Sequence, residues 1–420
     1  MSGPSGIART AAMPPRDAKA MRSETGDSGG SVLARAGAPA LVGTPDPGSA
    51  GAAQGIKDKD ALARPPAHSI YGALDLGTNN CRLLVARPSR RGFVVVDAFS
   101  RIIRLGEGVL ASGRLSDDAM KRTIGALRVC ADKLRRRGVT RSRLIATEAC
   151  RISTNGAEFI DRVHNETGLQ LEIVGRETEA KLAVSGCASL LDRSCDWALV
   201  FDIGGGSSEL IWLDLKQFGR SSRRTLNDRL GVQNCIAAWT SLPIGVVSLA
   251  ERHGGREVSR ENYEAMVDDV MVALKAFESQ HRFGERVEQN RAHFLGTSGT
   301  VTTISGIHLK LPHYDRSRVD GCWLAAGDVR TVSNDLIAMS YDERVAQPCI
   351  GHERADLVLA GCAILEALLR VWPCQRLRVA DRGLREGILT TLMAEDGHDR
   401  RNTPRPRHRR SGGKPHPGRG

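Results

Sequence analysis

Apolar residues recur along this chain in two alternating rhythms between about residue 71 and residue 393. Short apolar runs, Tyr71-Gly72-Ala73-Leu74-Asp75 and Leu83-Leu84-Val85-Ala86, flank a Gly-containing turn and predict a strand hairpin. Spacings of three and four then put Met120, Ile124, Leu127, Ala131 and Leu134 on one helix face. Ser116 stands as its cap, with Asp117 and Asp118 in the electropositive first turn. The pattern continues with a strand over 143–147, a helix over 157–166, a strand over 169–174 and a helix over 177–191. A buried run, Trp197-Ala198-Leu199-Val200-Phe201-Asp202, enters Gly204-Gly205-Gly206 and leaves as Glu209-Leu210-Ile211-Trp212-Leu213, predicting a second hairpin. Ser259 caps a helix with Tyr263, Met266, Val270, Leu274 and Phe277 on one face. A strand over 293–295, an apolar helix over 355–371, a strand over 377–380 and a helix over 384–393 complete the series. Strands and helices in alternation predict an α/β fold.

The two hairpins resemble one another. Superimposing Asp75-Leu76-Gly77 on Asp202-Ile203-Gly204 also aligns Leu83 with Leu210 and Leu84 with Ile211, an internal repeat 127 residues apart. Two similar halves imply a cleft between them in which a ligand sits. The expected organisation is a disordered leader over 1–68, a first domain over 69–195, a second over 196–394 whose last helix packs back on the first, and a disordered basic tail over 395–420.

Charge changes this picture less than its total suggests. The net charge of +12 points to an anionic partner, but it is local. Residues 396–420 carry eight Lys or Arg against two Asp, residues 216–229 five against one, and residues 1–68 eight against six, leaving the rest formally neutral. The folded body is therefore not expected to bind nucleic acid, and the basic ends read as solvated. Ten cysteines without a C-x-x-C pair fit free thiols in a reducing compartment. No stretch reaches the roughly 18 apolar residues of a membrane span, and the first thirty residues lack a secretory apolar core, so a cytoplasmic protein with no membrane partner is expected.

Chemistry concentrates in three turns. Gly204, Gly205 and Gly206 let backbone N–H groups approach an anion with no Cβ in the way, and Ser207 adds a hydroxyl. Asp202, at the end of the preceding strand, suits Mg²⁺ held through water. In the matching turn Asp75 and Gly77 are followed by Thr78 and Asn79, whose side chains donate to phosphate. A third turn, Gly296-Thr297-Ser298-Gly299-Thr300, joins a strand to a helix and places amides and hydroxyls at a positive helix N-terminus. Taken singly, each has a bland alternative: a flexible glycine turn, an Asx-Gly turn, a helix cap. The eleven histidines show no metal-ligand spacing.

Taken together, the segments resemble the Ppx/GppA family, the exopolyphosphatases and guanosine pentaphosphate (pppGpp) phosphohydrolases of the actin-like and sugar-kinase-like ATPase superfamily. The likeness runs in order through ALDLGTNNCRLLV at 73–85, ATEACRIST at 146–154, GRETEAKL at 175–182, FDIGGGSSE at 201–209, SLPIGVVSL at 241–249 and FLGTSGTVTTI at 294–304, then ERADLVLAGCAILEALL and VADRGLREGIL. It implies two duplicated actin-like ATPase (ribonuclease H-like) domains around an interdomain cleft. It further implies Glu179 as the general base, Glu209 as a second carboxylate that positions water or metal, and Arg151 as a phosphate-contacting arginine. Mg²⁺ or Mn²⁺ is the implied cofactor, with Asp75, Asp202 and Glu209 as candidate metal residues.

The implied activity is release of orthophosphate from the end of polyphosphate, with pppGpp 5′-phosphohydrolysis as the alternative. A sugar-kinase-like phosphotransferase, a sensor of phosphorylated nucleotides and an RNA-associated binding module stay open as other classes. Longer relatives carry a C-terminal helical domain like that of metal-dependent HD phosphohydrolases; here about 25 Arg- and Pro-rich residues follow Ala394, implying a short two-domain form. The basic segment 216–229 reads as an insertion, either a polyanion guide or a plain loop. The oligomeric state is open, a homodimer among the options.

Overall fold

A computed structural model describes residues 69–90, 92–218, 225–289 and 291–398. The expected leader over 1–68, the tail from 399 onward and the middle of the basic insertion, 219–224, lie outside the described residues.

The first sheet has the order β3-β2-β1-β4-β5, from β1 (Tyr71–Leu76), β2 (Asn80–Ser89), β3 (Gly92–Ile102), β4 (Arg141–Ala146) and β5 (Glu172–Ile173). The β1–β2–β3 meander is antiparallel, and β4 joins β1 in parallel. The second sheet has the order β10-β11-β9-β6-β7-β8, from β6 (Trp197–Ile203), β7 (Ser208–Asp214), β8 (Ile236–Leu242), β9 (Ala292–Gly296), β10 (Trp323–Ala325) and β11 (Arg376–Val379). We call each sheet with the helices on it a lobe. The helices that matter for the site are α1 (Asp117–Arg136), α2 (Glu148–Ile152), α3 (Arg176–Cys187), α4 (Val246–His253), α5 (Arg260–His281), α6 (Gly299–His308), α7 (Val358–Val371) and α8 (Leu384–Glu395).

The repeat is exact at the level of strand pairing. Six pairs join β1 to β2, from Tyr71 opposite Ala86 to Leu76 opposite Cys81, and each recurs 127 residues later in β6 and β7. Even the turn bond is repeated: Gly77 N–H donates to Asn80 O and Gly204 N–H to Ser207 O, both at 2.9 Å. The expected α/β class with duplicated halves holds.

Helix placement follows burial. In α1 the Ser116 hydroxyl accepts from Ala119 N–H at 3.3 Å, and Met120, Ile124, Leu127 and Cys130 pack on the first sheet. In the second lobe α7 is buried on nearly all sides, as its almost unbroken apolar sequence requires. Trp212 stacks on Phe283 at 4.5 Å and meets Trp372 edge-on at 5.5 Å.

Two helices change sides. Although α3 follows the first sheet in sequence, its Ala180, Val184 and Cys187 cluster with Val200, Ile211 and Leu295 of the second. In return α8 lays Leu384, Ile388, Leu389 and Leu392 against Tyr71, Ala73, Leu84 and Ile145 of the first. The two cross backbone to backbone: a Cβ at Gly186 would collide with the Gly383 carbonyl, and one at Gly387 with the Leu182 carbonyl. The end of α8 is pinned by Tyr71, whose hydroxyl donates to Asp396 at 2.5 Å, and by Arg141, which pairs with Glu395 and Asp396.

Some elements differ from the sequence pattern. The strand expected over 169–174 shrinks to Glu172–Ile173, which pairs with Ile145 and Ala146 at the end of β4. The helix over 177–191 is α-helical only to Cys187 and then tightens into a 3₁₀ turn over Ala188–Leu190. The helix expected from 355 starts at Val358. The long strand β3 was not anticipated: on the sheet edge both its faces are partly exposed, so it shows no clean apolar alternation. None of the described helices is long and apolar enough to cross a membrane.

Candidate active site

The turns after β1 and β6 meet in one cleft of about 990 Å³ between the lobes. Their approach is close: a Cβ added at Gly205 would lie 3.0 Å from Thr78 Cβ, and one at Gly206 2.9 Å from Thr78 Oγ1. A methyl at either position would press on Thr78, so the glycines allow the turns to approach this closely.

Backbone hydrogen bonds explain how the turns present their amides. Gly204 O accepts from Val246 N–H at 2.9 Å and Gly205 O from Val247 N–H at 2.8 Å, so the glycine carbonyls satisfy the first turn of α4. In a planar trans peptide the N–H points opposite to the preceding carbonyl, which turns Gly205 N–H and Gly206 N–H away from that helix. The first turn repeats the device with another partner: Thr78 O accepts from Gly106 N–H at 2.9 Å, and Asn79 O from Ile103 and Arg104 N–H at 2.8 and 3.1 Å. Asn79 and Ser298, both bordering the cleft, each keep a buried side-chain oxygen without a partner, a common sign of a place completed by ligand or water.

Of the residues expected from sequence, Asp75, Gly77, Thr78, Asn79, Glu179, Asp202, Gly204, Gly205, Gly206, Ser207, Glu209, Ser298, Gly299 and Thr300 all border this cleft. Three do not. Gly296 ends β9, where a Cβ would press into Phe201 and Val301 at 2.7 Å, so its glycine serves packing; Thr297 follows behind it. Arg151 is also absent from the lining. Its guanidinium is spent on protein: Nε donates to Glu148 at 3.0 Å, Nη1 to the Val174 carbonyl at 2.6 Å and to Glu179 Oε2 at 3.2 Å, and Nη2 also binds Glu148. It is tied to Glu179 and does not border the cleft.

The carboxylates repel one another. Burial, then the neighbouring Glu209, pushes Glu179 well above the usual carboxylate range, with Arg151 pulling the other way. Asp202 is pushed up to about 7 by burial and by Glu209, opposed by Arg82. Burial also raises Asp75 and Glu209, the latter against hydroxyls of Ser207 and Ser241 that donate to it at 2.7 and 3.0 Å.

A model of the Ppx/GppA phosphatase family matches residues 84–396. The chain belongs to this family. A curated relative, the guanosine-5′-triphosphate,3′-diphosphate pyrophosphatase of Photobacterium profundum, is 26% identical over 351 residues, covering 80% of this chain; the chain spans 62% of that relative's length. The crystal structure of an exopolyphosphatase-like protein matches with a TM-score of 0.68 at 27% identity, over 77% of this chain and 97% of that one. The Ppx/GppA family member of Aquifex aeolicus matches with a TM-score of 0.61 at 26% identity, over 79% of this chain and 99% of that one.

Several cleft residues escaped the sequence reading. Arg82 borders the cleft and stands where the repeat puts Glu209, so the 127-residue offset pointed to it. Glu148 lies three residues before Arg151; nearly fully buried, it accepts from both Arg151 and Arg176, the latter at 2.7 Å. Arg354 also borders the cleft; it lies in the ERADLVLAGCAILEALL segment, whose apolar helix drew the reading instead. For the expected Mg²⁺ or Mn²⁺, no three His, Cys, Asp or Glu side chains among the described residues converge to enclose an ion. Asp75, Asp202 and Glu209 are thus not a ready-made ligand cage. Their crowded, hard-oxygen, mutually repelling set nonetheless fits a hydrated divalent cation, which keeps several waters.

Proposed function

We propose that the chain hydrolyses the terminal phosphoanhydride of inorganic polyphosphate and releases orthophosphate. One observation carries this reading: two turns with carbonyls tied back and amides turned outward face each other across a cleft that Glu179 also borders. In it the amides of Asn79, Gly205 and Gly206, with Thr78 and Ser298, bind the phosphoryl oxygens, while the Ser207 hydroxyl stays on Glu209. Arg82 and Arg354 add charge. Glu179, held by Arg151, takes the proton of the attacking water as its oxygen forms the new P–O bond, and the bridging oxygen leaves on the shortened chain. Its raised pKa makes it a stronger base, as that step requires. Asp75 and Asp202, with Glu209 alongside, would hold Mg²⁺ or Mn²⁺, which would supply positive charge to the phosphate oxygens. The cytoplasm is the proposed compartment, consistent with ten free cysteines.

A second reading, hydrolysis of the 5′-terminal phosphate of pppGpp, is favoured by the Photobacterium profundum relative, whose name records a guanosine substrate. Parallel phosphate-release assays on long-chain polyphosphate and pppGpp decide between them. Release from polyphosphate at the higher kcat/KM supports the first, the reverse order the second. No release from either with Mg²⁺ or Mn²⁺ supplied removes both.

A further inference from the structure

We infer that Arg104 is a positioning residue for the reaction: it ties the turn after β1 to the stretch of the second lobe that precedes α7, and so keeps the two phosphate turns face to face. Its backbone supplies half of the tie. The N–H groups of Ile103 and Arg104 hold Asn79 O, and Gly106 N–H holds Thr78 O. Arg122 of α1 fixes that segment in turn, donating to the carbonyls of Ile103 and Arg104 at 2.7 and 3.2 Å.

The side chain supplies the other half. Nη1 donates to Asp356 Oδ2 at 2.7 Å, and Nη2 to Asp356 Oδ1 at 3.1 Å and to the Glu353 carbonyl at 3.3 Å. A forked guanidinium–carboxylate pair is directional as well as strong. Asp356 sits between Arg354 and Leu357, which border the cleft. Behind it, a Cβ at Gly255 would strike the Asp356 carbonyl, and buried Arg344 holds the adjacent Arg256 carbonyl. The anchor is therefore stiff on both sides.

Two further observations point the same way. Arg104 has φ 47°, in the left-handed region that a side chain disfavours, and such a conformation persists where its surroundings over-determine it. The pair also stands beside a second cavity of about 560 Å³ that shares Asn79 and Leu357 with the cleft. The crossing of α3 and α8 joins the lobes through apolar and backbone packing. The Arg104 clasp is ionic and partly exposed, so water competes for it.

The kinetic test rests on the hydrolase reading; a scattering test does not. When only a fraction of molecules holds the binding-competent arrangement, apparent affinity falls by that fraction. R104A should raise KM about tenfold while kcat falls less than about threefold, because bound substrate itself bridges the turns. D356N should do the same, the double variant should be no worse than either single one, and R104K should recover part of the loss. An unmoved KM in R104A, or losses that multiply in the double variant, overturns the proposal. Small-angle scattering of the substrate-free full chain should give R104A a larger radius of gyration at unchanged helix content; an unchanged radius overturns it equally. A wild-type chain that releases phosphate from neither substrate defeats the hydrolase reading, and the scattering comparison still decides the clasp.

Discussion

The turn after β1 and the turn after β6 share one backbone plan and carry different chemistry. Strand pairs and turn bond coincide at an offset of 127 residues, yet Thr78-Asn79 stands where the second turn has Gly205-Gly206, and Arg82 where it has Glu209. One turn brings hydroxyl, amide and cation; the other brings bare backbone and a carboxylate. Their carbonyls are also tied back differently, by a loop segment in the first lobe and by a helix N-terminus in the second. Duplication thus preserves what hydrogen bonding enforces, the register, and leaves free what only the ligand sees.

In the proposed reaction both turns bind the phosphates and Glu179, outside either turn, is the base. The largest effect therefore belongs to Glu179: E179Q should cut turnover by about 10²–10⁴ with substrate binding retained. Phosphate release and equilibrium binding measured side by side check this, and full turnover in E179Q alongside its loss in E209Q would move the base into the second turn. Next comes G206A, whose new methyl would lie 2.9 Å from Thr78 Oγ1 and 3.3 Å from Glu148 Cγ. Forcing the turns apart by a fraction of an ångström to one ångström should cost about 10² in kcat/KM. N79G, which makes the first turn more like the second without crowding it, should cost only about tenfold, the value of one lost donor. Equal losses would mean that close backbone approach is not what separates the two.

A smaller, signed effect concerns pH. Arg82 lowers and Glu209 raises the pKa of Asp202, and Glu209 also raises Glu179. Activity that needs ionised carboxylates rises with pH, so R82Q should move the acid limb of kcat/KM upward and the residual activity of E209Q should show it moved downward, each by about one pH unit. Shifts in the same direction would break the proposed opposition. The smallest effect is on stability. Asp202 has its pKa raised from 3.8 to about 7 in the folded chain. Its stabilising contribution is present in full below the unfolded value and is lost as pH rises through about 7. At a pH above that window D202N should raise Tm by about 2–4 °C; a lower Tm there would show that the ionised carboxylate is stabilising.

The sequence made the hairpins and their repeat legible because two apolar runs around a Gly turn leave little choice of register. It likewise exposed α1 and α5, whose apolar spacing and Ser caps are local signals. What stayed hidden depends on distant contacts. The side-changing of α3 could not be read, since Ala180, Leu182 and Val184 are buried on several sides and leave no single apolar stripe. The bond of Arg151 to Glu179 likewise joins residues far enough apart in sequence that no local pattern announced it. Gly296 looked like part of a phosphate turn, whereas the Phe201 ring explains it.

The exchange of α8 has a bearing on how the polypeptide is made. On the ribosome, strands β1 to β4 emerge long before Leu384, so Tyr71, Ala73, Leu84 and Ile145 must wait uncovered for hundreds of residues of synthesis. A nascent product halted after Val379 would keep that greasy surface bare, and it should accumulate as insoluble aggregate or bound to chaperones rather than as a free half-molecule.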